Sequence, residues 1–148
     1  MAEREPISTP PPQTASMLTA TRLQLTLPVP PSINHQYATV QGRRVMSSTG
    51  RAYKTEVGHV LLAVLSGHPH RTHFLDGARA GTLTLTIHFF FASALRRDVD
   101  GGLKIAQDAV CGALGVNDNR VTEIHLYKKQ DRAHPRMELT LDLSPERM

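Results

Sequence analysis

Leu83-Thr84-Leu85-Thr86-Ile87-His88-Phe89-Phe90-Phe91 places an apolar residue at every odd position of an unbroken run. Successive side chains leave a strand on opposite faces. The pattern therefore predicts a long strand with Leu83, Leu85, Ile87, Phe89 and Phe91 turned to a core. Downstream, Leu103, Ala106, Val110 and Ala113 recur at helical spacing, which predicts a helix over Leu103–Leu114 that stops at Gly115. Residues 121–129 and 136–143 read as two more strands, the second marked by alternating Met137, Leu139, Leu141 and Leu143. Strand, helix and strand in succession suit a right-handed parallel crossover.

Upstream, Leu23-Gln24-Leu25-Thr26-Leu27 alternates in the same way, and Pro28-Val29-Pro30-Pro31 ends that strand because proline has no N–H for a ladder. Tyr37–Val40 and Arg43–Met46 form an expected hairpin around Gln41-Gly42. Ser47 or Ser48 then caps a helix whose apolar stripe is Tyr53, Val57, Val60, Leu61 and Val64, with Gly67 as its end. Residues 67–81 are expected to form a loop. His68, His70 and His73 lie there around Pro69 and read as solvated rather than as zinc ligands. Residues 1–20, rich in Pro, Ser, Thr and Ala, carry no apolar period and are expected to form a disordered tail ahead of one domain over 21–148. The expected class is α+β (mixed α/β), one mixed sheet with two main helices.

A chain of 148 residues holds one core. It lacks the run of roughly eighteen apolar residues that crosses a membrane. It also lacks the basic-then-apolar opening of a secretory signal, and its single Cys111 falls in a helical pattern as a small core residue. Cytoplasmic placement without a membrane partner is the expectation. The net charge is +4, and its distribution is more informative than its size. Arg43, Arg44, Arg51 and Lys54 form one basic cluster, Arg96 and Arg97 a second, and Lys128, Lys129, Arg132, His134 and Arg136 a third. Three clusters on a small chain point to a polyanion.

Chemistry concentrates in Arg96-Arg97-Asp98-Val99-Asp100-Gly101-Gly102-Leu103-Lys104. In extended backbone, Asp98 and Asp100 point the same way and repel unless a cation or a proton intervenes. A hard ion such as Mg2+ suits carboxylate oxygens and keeps water and phosphate as its other ligands. Arg96 and Arg97 suit phosphates. Lys104 opposes the helix dipole at the start of a helix, which makes a functional role more attractive than a structural one. Asp108 lies one turn on, where it can pair with Lys104. Asn117-Asp118-Asn119 reads as a turn carrying another acid. Asn34, after the proline turn, is a candidate DNA contact.

The combination resembles the RusA family of Holliday junction resolvases. The matching pieces are Leu27-Pro28-Val29-Pro30-Pro31-Ser32-Ile33-Asn34, then Arg97-Asp98-Val99-Asp100 with Lys104, Gln107-Asp108-Ala109-Val110, and Asn117-Asp118 with Val121. The resemblance runs over about residues 23–143. It implies that Asp98, Asp100 and Asp118 are metal-binding catalytic carboxylates and that Lys104 is the catalytic lysine. It also implies a homodimer, Mg2+ as cofactor with Mn2+ as a substitute, and a four-way junction as substrate in DNA recombination and repair. DNA contacts are expected from Asn34, Arg43, Arg44, Arg51, Lys54, Arg96 and Arg97, with Asp108 supporting Lys104. Gly101 stands where the family usually has Asn, and Asn117 stands where some members have a further acid. Two other classes compete. A non-catalytic DNA-binding module differs by having no metal-dependent cleavage, and a small-phosphate hydrolase by needing a closed pocket. The expected helix is about 18 Å long. Asp118 is therefore expected to return toward Asp98 and Asp100 by a bend after Gly115, or else to serve a partner subunit.

Overall fold

The computed structural model describes residues 16–93, 95 and 97–144. Seven strands and three α-helices follow in order: β1 (Met17–Leu18), β2 (Arg22–Leu27), β3 (Tyr37–Val40), β4 (Arg43–Met46), α1 (Ser48–Leu65), α2 (Arg71–Ala80), β5 (Leu83–Phe91), α3 (Leu103–Leu114), β6 (Val121–Gln130) and β7 (Arg136–Leu143). Five strands make one mixed sheet in the order β1-β2-β7-β5-β6, and β3 and β4 make a separate two-stranded ribbon. The class is α+β, as expected.

The alternation in β5 is realised in full, with every odd residue from Leu83 to Phe91 buried. Antiparallel β7 sets Leu139 opposite Ile87 and Leu141 opposite Leu85, and β2 sets Leu25 opposite Leu139. These residues line the face that the helices cover. The other face carries Gln24, Thr86, His88, Glu138 and Thr140, all partly exposed. Burying each leucine or phenylalanine contributes roughly 1.5–3 kcal/mol. β6 runs parallel to β5, and a parallel neighbour needs a long crossover. That crossover consists of α3 and the two loops around it.

Four expectations about the fold are corrected. Residues 67–81 contain α2 rather than a loop, so the described residues hold three α-helices where two main ones were expected. Its apolar residues, Phe74, Leu75 and Ala78, fill only one turn, too short a stripe to show periodicity. Tertiary packing stabilises it instead: a Cβ on Gly77 would lie 2.6 Å from the Leu143 Cδ1, so β7 sits directly on the helix. In α3 the buried residues are Ile105, Ala106, Ala109, Val110, Cys111 and Leu114, while Ala113 is exposed. Of the expected stripe, Ala106 and Val110 are buried and Leu103 packs at the core edge; Ala113 alone faces out. Within 1–20, Met17 and Leu18 pair with Gln24 and Leu23, and Leu18 is buried; residues 1–15 lie outside the described residues. Finally, Arg136 is buried rather than part of a surface cluster, held by Asp131 and Glu138, each at 2.8 Å.

The expected cap, hairpin turn and helix stop are present. Ser47 caps α1, accepting from the Gly50 N–H at 3.0 Å. Gln41 and Gly42 both adopt positive φ, 53° and 76°, the geometry of a tight two-residue hairpin turn. Gly115 ends α3 in the left-handed region at φ 69°. No described helix is long and apolar enough to cross a membrane.

Candidate active site

The acidic segment does not sit on a strand. β5 ends at Phe91, and residues 98–102 form consecutive turns that lead into α3. The Gly101 N–H donates to the Asp98 carbonyl at 3.2 Å, and the Leu103 N–H to the Asp100 carbonyl at 3.1 Å. Extended-strand geometry is thus not what relates Asp98 to Asp100. A tight turn does so, at the amino end of a helix.

That turn is fastened to the proline turn after β2. Proline nitrogens cannot donate, but their carbonyls accept. The Tyr53 hydroxyl donates to the Pro28 carbonyl at 2.8 Å. Arg97 Nη2 donates to the Pro30 carbonyl at 2.9 Å. Gln36 Nε2 donates to the Pro31 carbonyl at 2.8 Å and across to the Gly101 carbonyl at 2.9 Å. Gly102 completes the contact: a Cβ there would lie 2.6 Å from the Pro30 Cγ and 3.2 Å from the Phe89 Cε1. Only glycine allows so close an approach. Gly101, the departure from the family pattern, is not crowded; its added Cβ would meet only the Asp98 carbonyl, at 3.5 Å.

Arg97, an expected DNA contact, is half-buried: it lies over the Phe91 ring at 4.5 Å, and its guanidinium donates to the Pro30 carbonyl. Burial lowers its pKa, yet an arginine remains charged. Lys128 Nζ donates to the Arg97 carbonyl at 2.7 Å, which brings β6 to the same corner. Arg96 lies outside the described residues.

Lys104 is well exposed, at 69%, and pairs with Asp108 at 3.0 Å, as its position one turn away suggested. The Asp108 hydrogen bond raises the lysine pKa first, followed by the charges of Asp108, Tyr37 and Asp118. Lys104 is therefore a firm ammonium at neutral pH, unsuited to act as a base. After the left-handed Gly115 the chain leaves α3, and Asp118 follows three residues on. Asp118 opens a short 3-10 turn, and Asn117 Oδ1 accepts from the Asn119 N–H at 3.0 Å. Cys111 nearby is buried, and burial pushes its thiol up to about 11, so it is no nucleophile.

Asp98, Asp100 and Asp118 are exposed, and none is ion-paired with a described residue. Such hard oxygen donors fit Mg2+, which needs only one or two carboxylates beside water and phosphate. Among the described residues, no three His, Cys, Asp or Glu side chains form a metal cage. The structure thus brings Asp98 and Asp100 onto one turn and Asp118 near Lys104, without gathering three carboxylates at a point.

Arg43 and Arg44 lie on the β3–β4 ribbon, where residues 38–45 are all exposed, and Arg44 stands 5.2 Å from the Tyr37 ring centre. Arg51 and Lys54 are exposed on α1, Arg51 donating to the Met46 carbonyl at 2.8 Å. Asn34 is exposed in the 3-10 turn Ile33–His35. Sequence reasoning missed Gln36 altogether. It lies between a turn and a strand, where no periodicity marks a buried residue.

A family model described as Endodeoxyribonuclease RusA matches residues 28–142. The chain is 30% identical over 118 residues to a protein named crossover junction endodeoxyribonuclease RusA in Escherichia coli strain K12. Proteins of the same name from Shigella sonnei and from Enterobacteria phage 82 are 30% and 29% identical. Each match covers 79% of this chain and 91% of the relative.

Proposed function

The chain belongs to the RusA family of endodeoxyribonucleases, and from that premise we propose that it resolves four-way DNA junctions by paired symmetric nicks during recombination and repair. The observation that carries this reading is the clamped acidic turn: Asp98 and Asp100 are exposed and without described ion-pair partners, while Arg97, Gly101 and Gly102 on either side of them are fastened to the proline turn and to Gln36.

Asp98, Asp100 and Asp118 are the proposed holders of Mg2+, with Mn2+ as its substitute. When bound, the ion supplies a polarised phosphate oxygen and a water acidic enough to attack at neutral pH. Three anionic side chains alone would repel a phosphodiester. Lys104, paired with Asp108, supplies a positive charge where negative charge grows on the phosphate. Arg97 shapes the turn through Pro30. The proposed product carries a 5′ phosphate.

Arg43, Arg44, Arg51 and Lys54, with Asn34 and Arg96, form the proposed DNA-binding set. Exposure of the β3–β4 ribbon supports it, since a two-stranded ribbon fits a major groove. Paired nicks need two sites, and each chain has one acidic turn, so the proposed assembly is a homodimer with two-fold symmetry. The bacterial and phage relatives support action in the cytoplasm of a bacterial or phage-infected cell. The test is a labelled synthetic four-way junction incubated with Mg2+, beside a linear duplex. Symmetric nicks in the junction alone are expected. Equal cutting of both substrates, or of neither, overturns the reading.

A further inference from the structure

We propose that Gln36 is a positioning residue for the metal-binding turn, acting through the Gly101 carbonyl; the inference rests on the reading of Asp98 and Asp100 given above. Gln36 is fully buried, at 0% exposure, between exposed neighbours: Asn34 and His35 precede it, and Ala38 follows Tyr37. Both partners of its amide are carbonyl oxygens, so the nitrogen end must face them and each of its two protons has an acceptor. The other end is unfavourable. Gln36 Oε1 is buried with no hydrogen-bond partner among the described residues. An apolar residue of similar volume would fill the space without stranding that oxygen. What an apolar residue cannot supply is the pair of donors.

The pair connects two segments far apart in the chain. One proton holds the Pro31 carbonyl, and the other holds the carbonyl of Gly101, the residue after Asp100. Gly101 is then fixed at both ends, its N–H on the Asp98 carbonyl and its own carbonyl on Gln36. Gln36 itself rests on a rigid support. Its carbonyl accepts from the Ser47 N–H at 2.9 Å and from the Ser47 hydroxyl at 3.0 Å, at the cap of α1. Gly50 packs against the same carbonyl, with an added Cβ only 2.6 Å away. The register of the acidic turn is thereby referred to a helix cap through one side chain. Groups that orient metal ligands from behind affect ion affinity and rate more than they affect folding.

The experiment uses the full chain with Gln36→Met, which keeps length and removes both donors, and Gln36→Leu, which keeps a branched side chain and removes them. Four quantities are read: thermal melting, junction affinity in Ca2+, Mn2+ binding without DNA by the electron paramagnetic resonance of the free ion, and single-turnover cleavage against Mg2+ concentration. The expected result is a folded protein with junction affinity within about threefold of wild type, weaker Mn2+ binding, and cleavage down roughly 10–100-fold with a higher Mg2+ midpoint. Wild-type Mn2+ binding and cleavage in either folded variant overturn the proposal. So does failure of both variants to fold, or a parallel fall of affinity and rate with the folded fraction, since Gln36 is then only a core residue. Asp100→Asn runs alongside. If it cleaves normally, the reading of the acidic turn has failed, whatever Gln36 does.

Discussion

The proline turn and the β3–β4 ribbon lie on either side of Gln36 and follow opposite rules. Pro28 and Pro30 give their carbonyls to Tyr53 and Arg97 from other parts of the chain, and Pro31 gives its carbonyl to Gln36. The ribbon exposes residues 38–45 on both faces and leaves its arginines at the surface. The difference matches two kinds of task. Hydrolysis at a phosphorus atom is sensitive to displacements of about 1 Å, so the acidic turn is held from behind. Attraction of a polyanion depends on charge and reach and falls off over a Debye length of about 8 Å at physiological salt, so the ribbon needs no such restraint.

The severest test of this contrast removes a proposed metal ligand. Asp100→Asn is expected to lower single-turnover cleavage by at least about 10²–10³-fold. Junction binding in Ca2+ should persist, because a negative charge near DNA has been removed. Near-normal cleavage would take Asp100 out of the site.

A smaller effect separates the two adjacent glycines. Gly102→Ala drives a methyl group into Pro30 and Phe89. It should cost about 1–3 kcal/mol in a denaturant titration and slow cleavage as well. Gly101→Ala meets no such wall and should melt within about 1 kcal/mol of wild type. Equal behaviour of the two would dissolve the idea of a clamped corner.

Smaller still in stability, though not in affinity, is the ribbon. Arg43→Ala with Arg44→Ala should leave unfolding within about 0.5 kcal/mol of wild type. Junction binding should weaken, and the log–log salt slope should shrink by about 0.9 for each phosphate that is no longer neutralised. An unchanged slope would free the ribbon of its DNA role.

The slightest change comes from Asp108→Ala. The exposed pair with Lys104 is worth about 0.3–0.5 kcal/mol. Because the lysine pKa is raised, this contribution is fully present below the ordinary value of 10.5 and is lost as pH climbs through the raised one. Melting curves of variant and wild type should differ slightly at pH 7 and converge in strong alkali. A difference that grows with pH would contradict the assignment.

How legible all this was in the sequence depended on whether a signal was repeated. β5 repeats its alternation from Leu83 to Phe91, and Gln41-Gly42 states its turn by residue type, so both were readable. α2 has a stripe of one turn and is held by packing of Gly77 on Leu143, which no local pattern records. The acids were found by type and spacing, but the strand geometry assigned to them was wrong, because the backbone turns before Asp98. Arg97 and Arg136 looked like surface cations; Arg136 is buried and Arg97 half-buried, each on a phenylalanine ring. Gln36 was invisible, since its role exists only once Pro31 and Gly101 have been brought together across the fold.

The central place of β7 has a consequence for how the molecule is made. β2, β5 and β6 all leave the ribosome before it, yet β7 lies between β2 and β5 and bonds to both. Until it arrives, the nascent chain holds two unjoined pieces, β1 with β2 and β5 with β6, and each exposes an edge awaiting a partner. The acidic turn is translated before β7, and its contacts with the proline turn lie on a sheet that β7 completes last. A truncation that spares every proposed catalytic residue but removes β7 should yield an aggregation-prone chain with no assembled site.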